Sequence, residues 1–447
     1  MLQSTPERAL SLVEDLAKKS RGRLSPADVA ASTGISVQEA QDALERMMEL
    51  YEARITLREE TGDLLFVFPL PLRKRGSKTF REVALQVRDA LWKAFVVVYK
   101  AAIGVILILY TLIFIIILIA LALAASQNRD RDRDDSGGVN HLIGGIFRAI
   151  FEGMQFYALN RAIGYGFDSD GMRYRRFEPK EPGEKKKNFI RSVYDFVFGP
   201  DRPPYDPLED AREAAAFIRT NRGKLTAGHL IMLGGWSYEK AEEKLTDVLV
   251  RFKGHPDMTD DGIVIGDFEE MTRREDPALK GAAIVLYQDE TEPPYEQTGN
   301  SSGRNFAIAL MNVFNLVMSF SILTGNLLPV DHVLIRIALG WFPFVFSLLF
   351  FLIPLIRLPI IRKKERQRHR NNIRKKIVGV VTSQPQRRFT FADIMLFGGI
   401  NKNDEQTARE LIDRITAELG GETQLDNNGT VYYVFPRLAQ ELVVGGK

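Results

Sequence analysis

The chain has 447 residues, enough for several domains, and its formal net charge at pH 7 is only +3. It contains no cysteine. That excludes disulfides, cysteine-ligated zinc, iron–sulfur clusters held by its own thiolates, and a thiol nucleophile. The N-terminal stretch has neither the basic nor the apolar region of a secretory signal peptide, so none is expected there.

One sequence pattern occurs three times, beginning at Arg21, Arg222 and Arg387. In each copy an apolar residue is followed ten positions later by a glycine, as from Leu24 to Gly34, and a glycine followed six positions later by phenylalanine closes the pattern. Each copy predicts a short helix, a turn, a longer helix and a β-hairpin. This is the order of elements in a winged-helix domain.

The helix ends are predicted from residues that cap helices. A serine or threonine precedes each helix in the first two copies, where its side-chain oxygen can accept from a free backbone amide. A glycine ends each short helix, where a left-handed residue is needed. The predicted N-caps are Ser25, Ser36, Thr226 and Ser237, and the glycines are Gly34, Gly235 and Gly399.

The charges on the long helices bear on whether these units bind DNA. A recognition helix must approach phosphates, whose neutralisation supplies most of the affinity. Ser36–Glu52 carries five acidic residues against one arginine, Lys402–Glu418 five against three, and Ser237–Lys253 four against four. The basic face that nucleic acid requires is missing. Nucleic acid is therefore not an expected partner, and protein docking through the helices or hairpin edges is favoured.

Three segments are apolar enough to be membrane helices, which need about 20 residues. They are Ala101–Ala125, Phe306–Leu323 and a stretch from about Val333 to Pro359. The second carries three polar residues on one helical face, which predicts packing against another helix. These helix-packing residues are Asn312, Asn315 and Ser319.

Basic residues cluster beside the predicted spans, above all at Arg357–Lys376. One interpretation is the positive-inside bias of cytoplasmic flanks; a compatible one is contact with anionic lipid, where each nearby Lys or Arg contributes about 1 kcal/mol. The predicted lipid-surface residues are Arg362, Lys363, Lys364, Arg366, Arg368, Arg370, Arg374, Lys375 and Lys376.

The three repeats are predicted to lie together on the cytoplasmic side of a bacterial inner or thylakoid-like membrane, because the exit of the third segment and the flank of repeat 1 are basic and three similar domains are expected to share one compartment. This arrangement requires either a re-entrant first segment or a second crossing by Leu142–Phe167. The apolar positions of His141–Phe167 also fit an amphipathic helix in the membrane interface or a core helix of a linker domain.

The predicted architecture is an α+β membrane protein in which three winged-helix-like domains are interleaved with about three membrane-embedded helices. The predicted ranges are repeat 1 at 1–72, a basic linker helix at 73–100, a transmembrane or re-entrant segment at 101–126, a linker at 127–208 with an amphipathic helix at 141–167, repeat 2 at 209–272, a linker at 273–304, a transmembrane hairpin at 305–360, a basic segment at 361–376 and repeat 3 at 377–447.

The sequence offers no recognisable reaction chemistry. A Gly-rich phosphate loop, a zinc-helix motif and a nucleophile elbow are all missing, and the five histidines are scattered over different segments. No catalytic, cofactor-binding or metal-binding residues are therefore predicted, and no cofactor is expected. His229 lies inside a predicted short helix and is expected to be packed rather than catalytic. The chain is not expected to be an enzyme.

Several stretches carry a resemblance to a known group of proteins. They include LLFVFP at Leu64–Pro69, YDFVFGPDRPPYDP at Tyr194–Pro207 and RFKGHPDMTDDGIVI at Arg251–Ile265. The chain resembles, over about residues 1–330, a family of uncharacterised membrane proteins from cyanobacteria and plastids. Plant members carry an iron–sulfur cluster biosynthesis label, which a chain without cysteine could not serve by thiolate ligation.

Three functions remain open at this point. The leading hypothesis is a non-enzymatic membrane scaffold or adaptor whose winged-helix-like units bind protein partners or a second copy of the chain. The alternatives are a membrane-tethered winged-helix transcription regulator and a membrane-remodelling adaptor, the latter by analogy of fold.

Overall fold

The computed structural model describes residues 5–20, 22–57, 64–72, 80–127, 188–202, 206–272, 281–290, 292–328 and 331–445. Within them the protein is mostly helical, with three small antiparallel sheets. Three of its helices are long and apolar enough to span a bilayer. The length and composition of these helices therefore support the prediction of a membrane protein.

Residues 5–72 form unit 1. Its elements are α1 (Pro6–Lys19), β1 (Arg23–Leu24), α2 (Pro26–Thr33), α3 (Val37–Leu50), β2 (Arg54–Leu57) and β3 (Leu64–Val67). The strands form an antiparallel sheet in the order β1-β3-β2. The predicted helix ends are confirmed: the Ser25 hydroxyl accepts from the Asp28 amide, Ser36 forms a reciprocal capping box with Glu39, and Gly34 is left-handed with φ +80°.

A single long helix, α4 (Phe80–Gln127), follows unit 1, and α5 (Phe189–Phe198) is the next described helix. At 1.5 Å per residue α4 is about 72 Å long. The predicted linker helix at 73–100 and the predicted membrane segment at 101–126 are joined in the structure, because no proline interrupts residues 80–127 and the helix continues through residue 100. From Phe80 to Gln127 α4 is one helix that does not turn back. The predicted helix at 141–167 lies outside the described residues.

Residues 206–272 form unit 2, which repeats the order of unit 1. Its elements are α6 (Glu209–Thr220), β4 (Lys224–Leu225), α7 (Ala227–Gly234), α8 (Tyr238–Arg251), β5 (His255–Met258), β6 (Val264–Asp267) and the single turn α9 (Glu269–Thr272). The sheet order is β4-β6-β5. The predicted caps Thr226 and Ser237 and the left-handed Gly235 are confirmed.

The second and third apolar segments form a helical hairpin. It consists of α10 (Ser302–Leu323), the single turn α11 (Val333–Arg336), a π-helical turn at Ile337–Trp341 and α12 (Phe342–Ser383). The wider π turn directly precedes Pro343, which has no amide to donate. The predicted hairpin at 305–360 and the predicted basic segment at 361–376 are joined by α12. The helix continues without a break through the basic residues.

Unit 3 comprises the last turns of α12 and residues 384–445. Its further elements are α13 (Phe391–Phe397), α14 (Glu405–Glu418), β7 (Glu422–Leu425), β8 (Val431–Val434) and α15 (Pro436–Val443). Phe389 pairs with Tyr433 where units 1 and 2 have their first strand. The first helix of unit 3 is thus the end of a membrane helix: Ile377 and Val381 of α12 are buried in its core.

The three units and the end of α12 share one continuous hydrophobic core. Corresponding apolar positions are buried in all three, and each such side chain contributes about 1.5–3 kcal/mol. These positions are Leu24, Leu225 and Phe389 before the short helix and Phe68, Phe268 and Phe435 after the hairpin. We call this three-unit assembly the head.

Helices α4, α10 and α12 form a membrane bundle. Toward the head Leu107 clusters with Ile308 and Phe350, and farther away Phe114 clusters with Met318. Helices α4 and α10 therefore run in the same direction, away from the head, and α12 runs back toward it.

Helix α5 packs against the head-side part of α4. A Cβ on Gly104 would lie only 2.9 Å from Ile190 Cγ2, so α5 begins at the end of the bundle that faces the head. Gln127 ends α4 about 35 Å beyond Gly104.

Candidate functional site

A buried ion pair joins units 1 and 2. Arg219 Nη2 in α6 lies 2.8 Å from Asp28 Oδ1 in α2, and their side chains are 5% and 0% exposed. Arg219 Nε also donates to the Met271 carbonyl (2.8 Å), and Asp28 accepts from the Ser25 hydroxyl (3.1 Å). A buried pair of this kind fixes how two elements meet, because either charge left alone would be strongly disfavoured.

Unit 3 docks on unit 2 through α15. Glu441 Oε2 accepts from the Gly228 amide at 2.5 Å, at the start of α7. Arg437 donates to the same carboxylate from Nε (3.0 Å), and its guanidinium lies 4.3 Å from the centroid of the Tyr238 ring. Burial raises the pKa of Glu441, although the Gly228 amide and Arg437 oppose that shift. The head is thus held by specific polar contacts as well as by its shared core.

Helix α12 connects the bundle to the head, and the predicted lipid-surface residues lie along it. Lys363, Lys364, Arg366, Arg370 and Lys376 are exposed, whereas Arg362, Arg368 and Arg374 are half-buried.

Lys375 is a correction to that prediction: it is buried, with Nζ 3.5 Å from Glu290 Oε2, so it does not face lipid. Arg374 donates to the Gly235 carbonyl and pairs with Glu418, so its contacts are also within the head.

Distance limits which of these charges can act on a membrane surface. Arg357 lies at the boundary between bundle and head, and Lys376 is about 28 Å farther along α12. The Debye length at physiological salt is about 8 Å. For a helix along the membrane normal, only the turn at Arg362–Lys364 lies close enough to interact strongly with lipid charge. Farther along the helix, Arg370 pairs with Glu410 and Arg374 with Glu418, both in α14.

The predicted helix-packing residues are all buried inside the bundle. Asn312 Nδ2 donates to the Ser347 carbonyl of α12 (2.9 Å), and Asn315 Nδ2 donates to the Leu107 carbonyl of α4 (3.0 Å). Ser319 instead donates to Leu316 within its own helix. One face of α10 therefore binds both neighbouring helices through hydrogen bonds. Such bonds help to hold helices together in an apolar surrounding.

A collar of short segments lies where the bundle meets the head; we define it as residues 188–202, 292–300 and 357–368. Cations at the head-side end of each bundle helix contact the collar or belong to it. Lys100 pairs with Asp201 (2.7 Å), Arg304 donates to the Ser192 hydroxyl (3.0 Å), and Arg357 donates to a backbone carbonyl at the end of α5 (2.8 Å). The collar thus combines the ends of all three apolar helices with positive charge.

The outer strand of each hairpin is an exposed sheet edge. Strands β2, β5 and β7 each pair on one side only, among the strands of the described chain. Each carries an exposed apolar side chain: Ile55 is 47%, Met258 65% and Leu425 74% exposed. Such edges can accept a further strand from a partner.

The outward face of α3 is acidic. Asp42, Glu45 and Glu49 are exposed there, with Arg46 the accompanying base. A phosphate backbone would be repelled by this face.

The described residues contain no group of three or more His, Asp or Glu side chains that could hold a metal ion. His229 is packed, as predicted: it is 2% exposed and its Nδ1 lies 3.0 Å from the Thr226 hydroxyl. Burial lowers the pKa of His229 to about 4, so its ring is neutral at physiological pH.

Sequence reasoning missed the residues that join the units, namely Asp28, Arg219, Glu290 and Glu441. Each looks like an ordinary polar residue of a surface helix or loop, and its partner is tens to hundreds of positions away. Arg219 carried the clearest signal, since it follows the apolar run AAAFI on α6.

Comparison with known proteins relates the chain to a plant protein. No family model matches the chain, and no solved structure matches it. The chain is similar to an uncharacterised chloroplastic protein of Arabidopsis thaliana, with 27% identity over 282 residues. This stretch is 60% of the chain and 49% of the relative, so the chain spans about half the length of the curated protein it matches. The similarity is consistent with the resemblance to a plastid family.

Proposed function

We propose that this chain is a non-enzymatic membrane adaptor in which three winged-helix-like units form one head that binds proteins at the membrane surface. Each unit has the helix, helix and hairpin order typical of winged helices. The observation that carries the proposal is that, among the strands of the described residues, the outer strand of each hairpin pairs on one side only, although the units are packed together elsewhere. Each outer strand carries a charged residue, as sheet edges usually do, and beside it an exposed apolar side chain that supports docking of a further strand.

The tethered-regulator alternative finds less support in the same geometry. The exposed face of α3 is acidic, and α14 lies along α12, where Glu418 and Glu410 pair with arginines of that helix. A groove-binding helix would need a free basic face. Nucleic acid is therefore not among the partners that we propose.

We further propose that the head lies on the cytoplasmic side of the membrane with all three units together. The basic residues at the head-side ends of α4, α10 and α12 support this orientation. Because the chain has no native cysteine, single cysteines at Lys19, Thr246, Gln406 and Asn326 can be labelled with an impermeant reagent. We expect the first three to be protected in intact cells and Asn326 to react. Labelling of Lys19, Thr246 and Gln406 with protection of Asn326 would contradict the cytoplasmic placement, and labelling of Lys19 with protection of Gln406 would contradict a common side.

The docking proposal is tested by site-specific photocrosslinking in native membranes. A photoreactive amino acid is placed at Ile55, Met258 or Leu425, with Gln406 on the exposed face of α14 as the control. We expect adducts at the strand positions beyond those at Gln406, and their masses separate a second copy of this chain from another protein. Equal yields at all four positions would overturn the proposal.

A companion set of variants checks that docking depends on the edges. Ile55→Glu, Met258→Glu and Leu425→Glu place a charge on each outer strand. Since these side chains are exposed, each change should alter stability by no more than about 0.5 kcal/mol. A variant that captures less of the partner but keeps the melting temperature of the wild type then identifies the strand that binds.

A further inference from the structure

The collar contains a cavity of about 240 Å³ that the proposed docking function does not use. It opens between the residues that follow α5, the segment around Tyr295 and one face of α12. Its walls include Phe198, Ile360 and Ile361, which continue the apolar surface of the bundle. The cavity therefore lies at the level where the membrane surface would meet the head.

Three cations line this cavity, and they are held in different ways. Arg357 Nη1 donates to the carbonyls of Val197 (2.8 Å) and Gln297 (3.4 Å). Its guanidinium also lies over Gly199, where a Cβ would be only 2.1 Å from Nη2. Gly199 has φ +79°, so both its conformation and this close approach require glycine. The protein thus fixes a positive charge here through neutral carbonyls.

Arg202 and Lys364 are arranged around one aromatic ring. The Arg202 guanidinium lies 3.5 Å from the centroid of Tyr295, and Lys364 Nζ lies 5.7 Å from it. Arg202 also donates to the carbonyls of Pro293 (2.9 Å) and Pro294 (3.3 Å). Stacking and carbonyl contacts orient the guanidinium, which binds phosphate well because its donors form a planar fork.

Acidic groups near the cavity reduce but do not cancel this charge. Glu296 lines the wall, and its carboxylate is directed to Gly299. Glu292 lies 3.9 Å from Arg202 and is also near Lys375 and Arg368. Three cations against one acidic residue in the lining leave the cavity positive. A compact anion is the ligand of complementary charge.

We propose that this cavity binds the phosphate of one anionic phospholipid, with Arg202, Arg357 and Lys364 around the head group and the start of the acyl chains against Ile360 and Ile361. The apolar wall beside the cations is what favours a lipid over a soluble phosphate. The site rests on the membrane placement proposed above, which cysteine labelling tests separately. Failure of the placement and failure of the site are therefore distinguishable.

The test uses the full chain in nanodiscs and native mass spectrometry to count retained lipids. Discs of phosphatidylcholine are compared with discs that also contain phosphatidylglycerol, and soluble glycerol 3-phosphate is the competitor. We expect one phosphatidylglycerol to be retained by the wild type. Lys364→Gln should weaken its binding about fivefold, and Arg202→Gln with Lys364→Gln roughly thirtyfold, since one nearby basic side chain is worth about a factor of five.

The matched control is Lys363→Gln, which removes the neighbouring exposed charge on α12 outside the cavity lining. It should leave retention of the bound lipid unchanged. Lys364 is exposed, so Lys364→Gln should fold normally. This single variant therefore tests the site even if the double variant fails to fold. Three results would each overturn the proposal: equal losses in Lys363→Gln and Lys364→Gln, wild-type retention in the double variant, or glycerol 3-phosphate binding as tightly as the lipid.

Discussion

The buried pair between Arg219 and Asp28 gives the sharpest prediction about the head. Arg219→Met keeps the length of the side chain but removes the cation that lies 2.8 Å from the fully buried Asp28 carboxylate. Removing one member of a buried pair costs about 3–5 kcal/mol, because the other charge stays in the interior and loses that interaction. We expect a destabilisation of that size, concentrated where units 1 and 2 meet.

Hydrogen exchange of the full chain in detergent measures this effect locally. The free energy of the local opening through which the amides of α2 exchange should be about 3–5 kcal/mol lower in Arg219→Met than in the wild type. Adding Asp28→Asn should recover part of the loss, because the double variant no longer buries the carboxylate charge. The control is Lys240→Met, which breaks an ion pair with Glu243 whose side chains are 48% and 62% exposed and should cost no more than about 1 kcal/mol. The reasoning is refuted if Arg219→Met costs no more than this control.

Three further predictions concern the second unit and the bundle. Burial lowers the pKa of His229 from 6.5 to about 4, so between these pH values the unfolded chain binds a proton that the folded chain does not. The free energy of unfolding of the wild type, measured in urea, should therefore fall by about 3 kcal/mol relative to that of His229→Gln as the pH falls from 6.5 to 4. Parallel pH dependences of the two proteins would contradict this. Glu441, whose pKa is raised, has the opposite dependence but is present in both proteins. Asn315→Leu should weaken the contact of α10 with α4 by about 0.6–2 kcal/mol in detergent melting, and no change would show that its bond to Leu107 contributes nothing. Gly104→Val should displace α5 and cost about 1–3 kcal/mol, whereas Gly303→Ala, which has open space around its Cβ, should be nearly neutral in the same melts.

The local structure of the units could be predicted from the sequence because contacts between residues close along the chain determine it. Ser25, Ser36, Thr226 and Ser237 cap their helices within three residues, and the glycine that ends each short helix is left-handed in all three units. The membrane segments were equally accessible, since a long apolar run cannot be accommodated elsewhere. The changes in composition that divided residues 73–126 and 305–376 into separate segments lie inside the continuous helices α4 and α12. A change in composition does not by itself end a helix, and α12 continues past Pro354 and Pro359.

The tertiary structure decided how these parts are joined. The last turns of α12 serve as the first helix of unit 3, because Ile377 and Val381 bury their side chains in the shared core. Lys375 looked like one of many membrane-facing cations, yet its carboxylate partner Glu290 is 85 residues away in sequence. The pairs Arg219–Asp28 and Gly228–Glu441 span 191 and 213 positions. Caps and apolar runs are determined by neighbours along the chain, whereas these contacts depend on residues that only folding brings together.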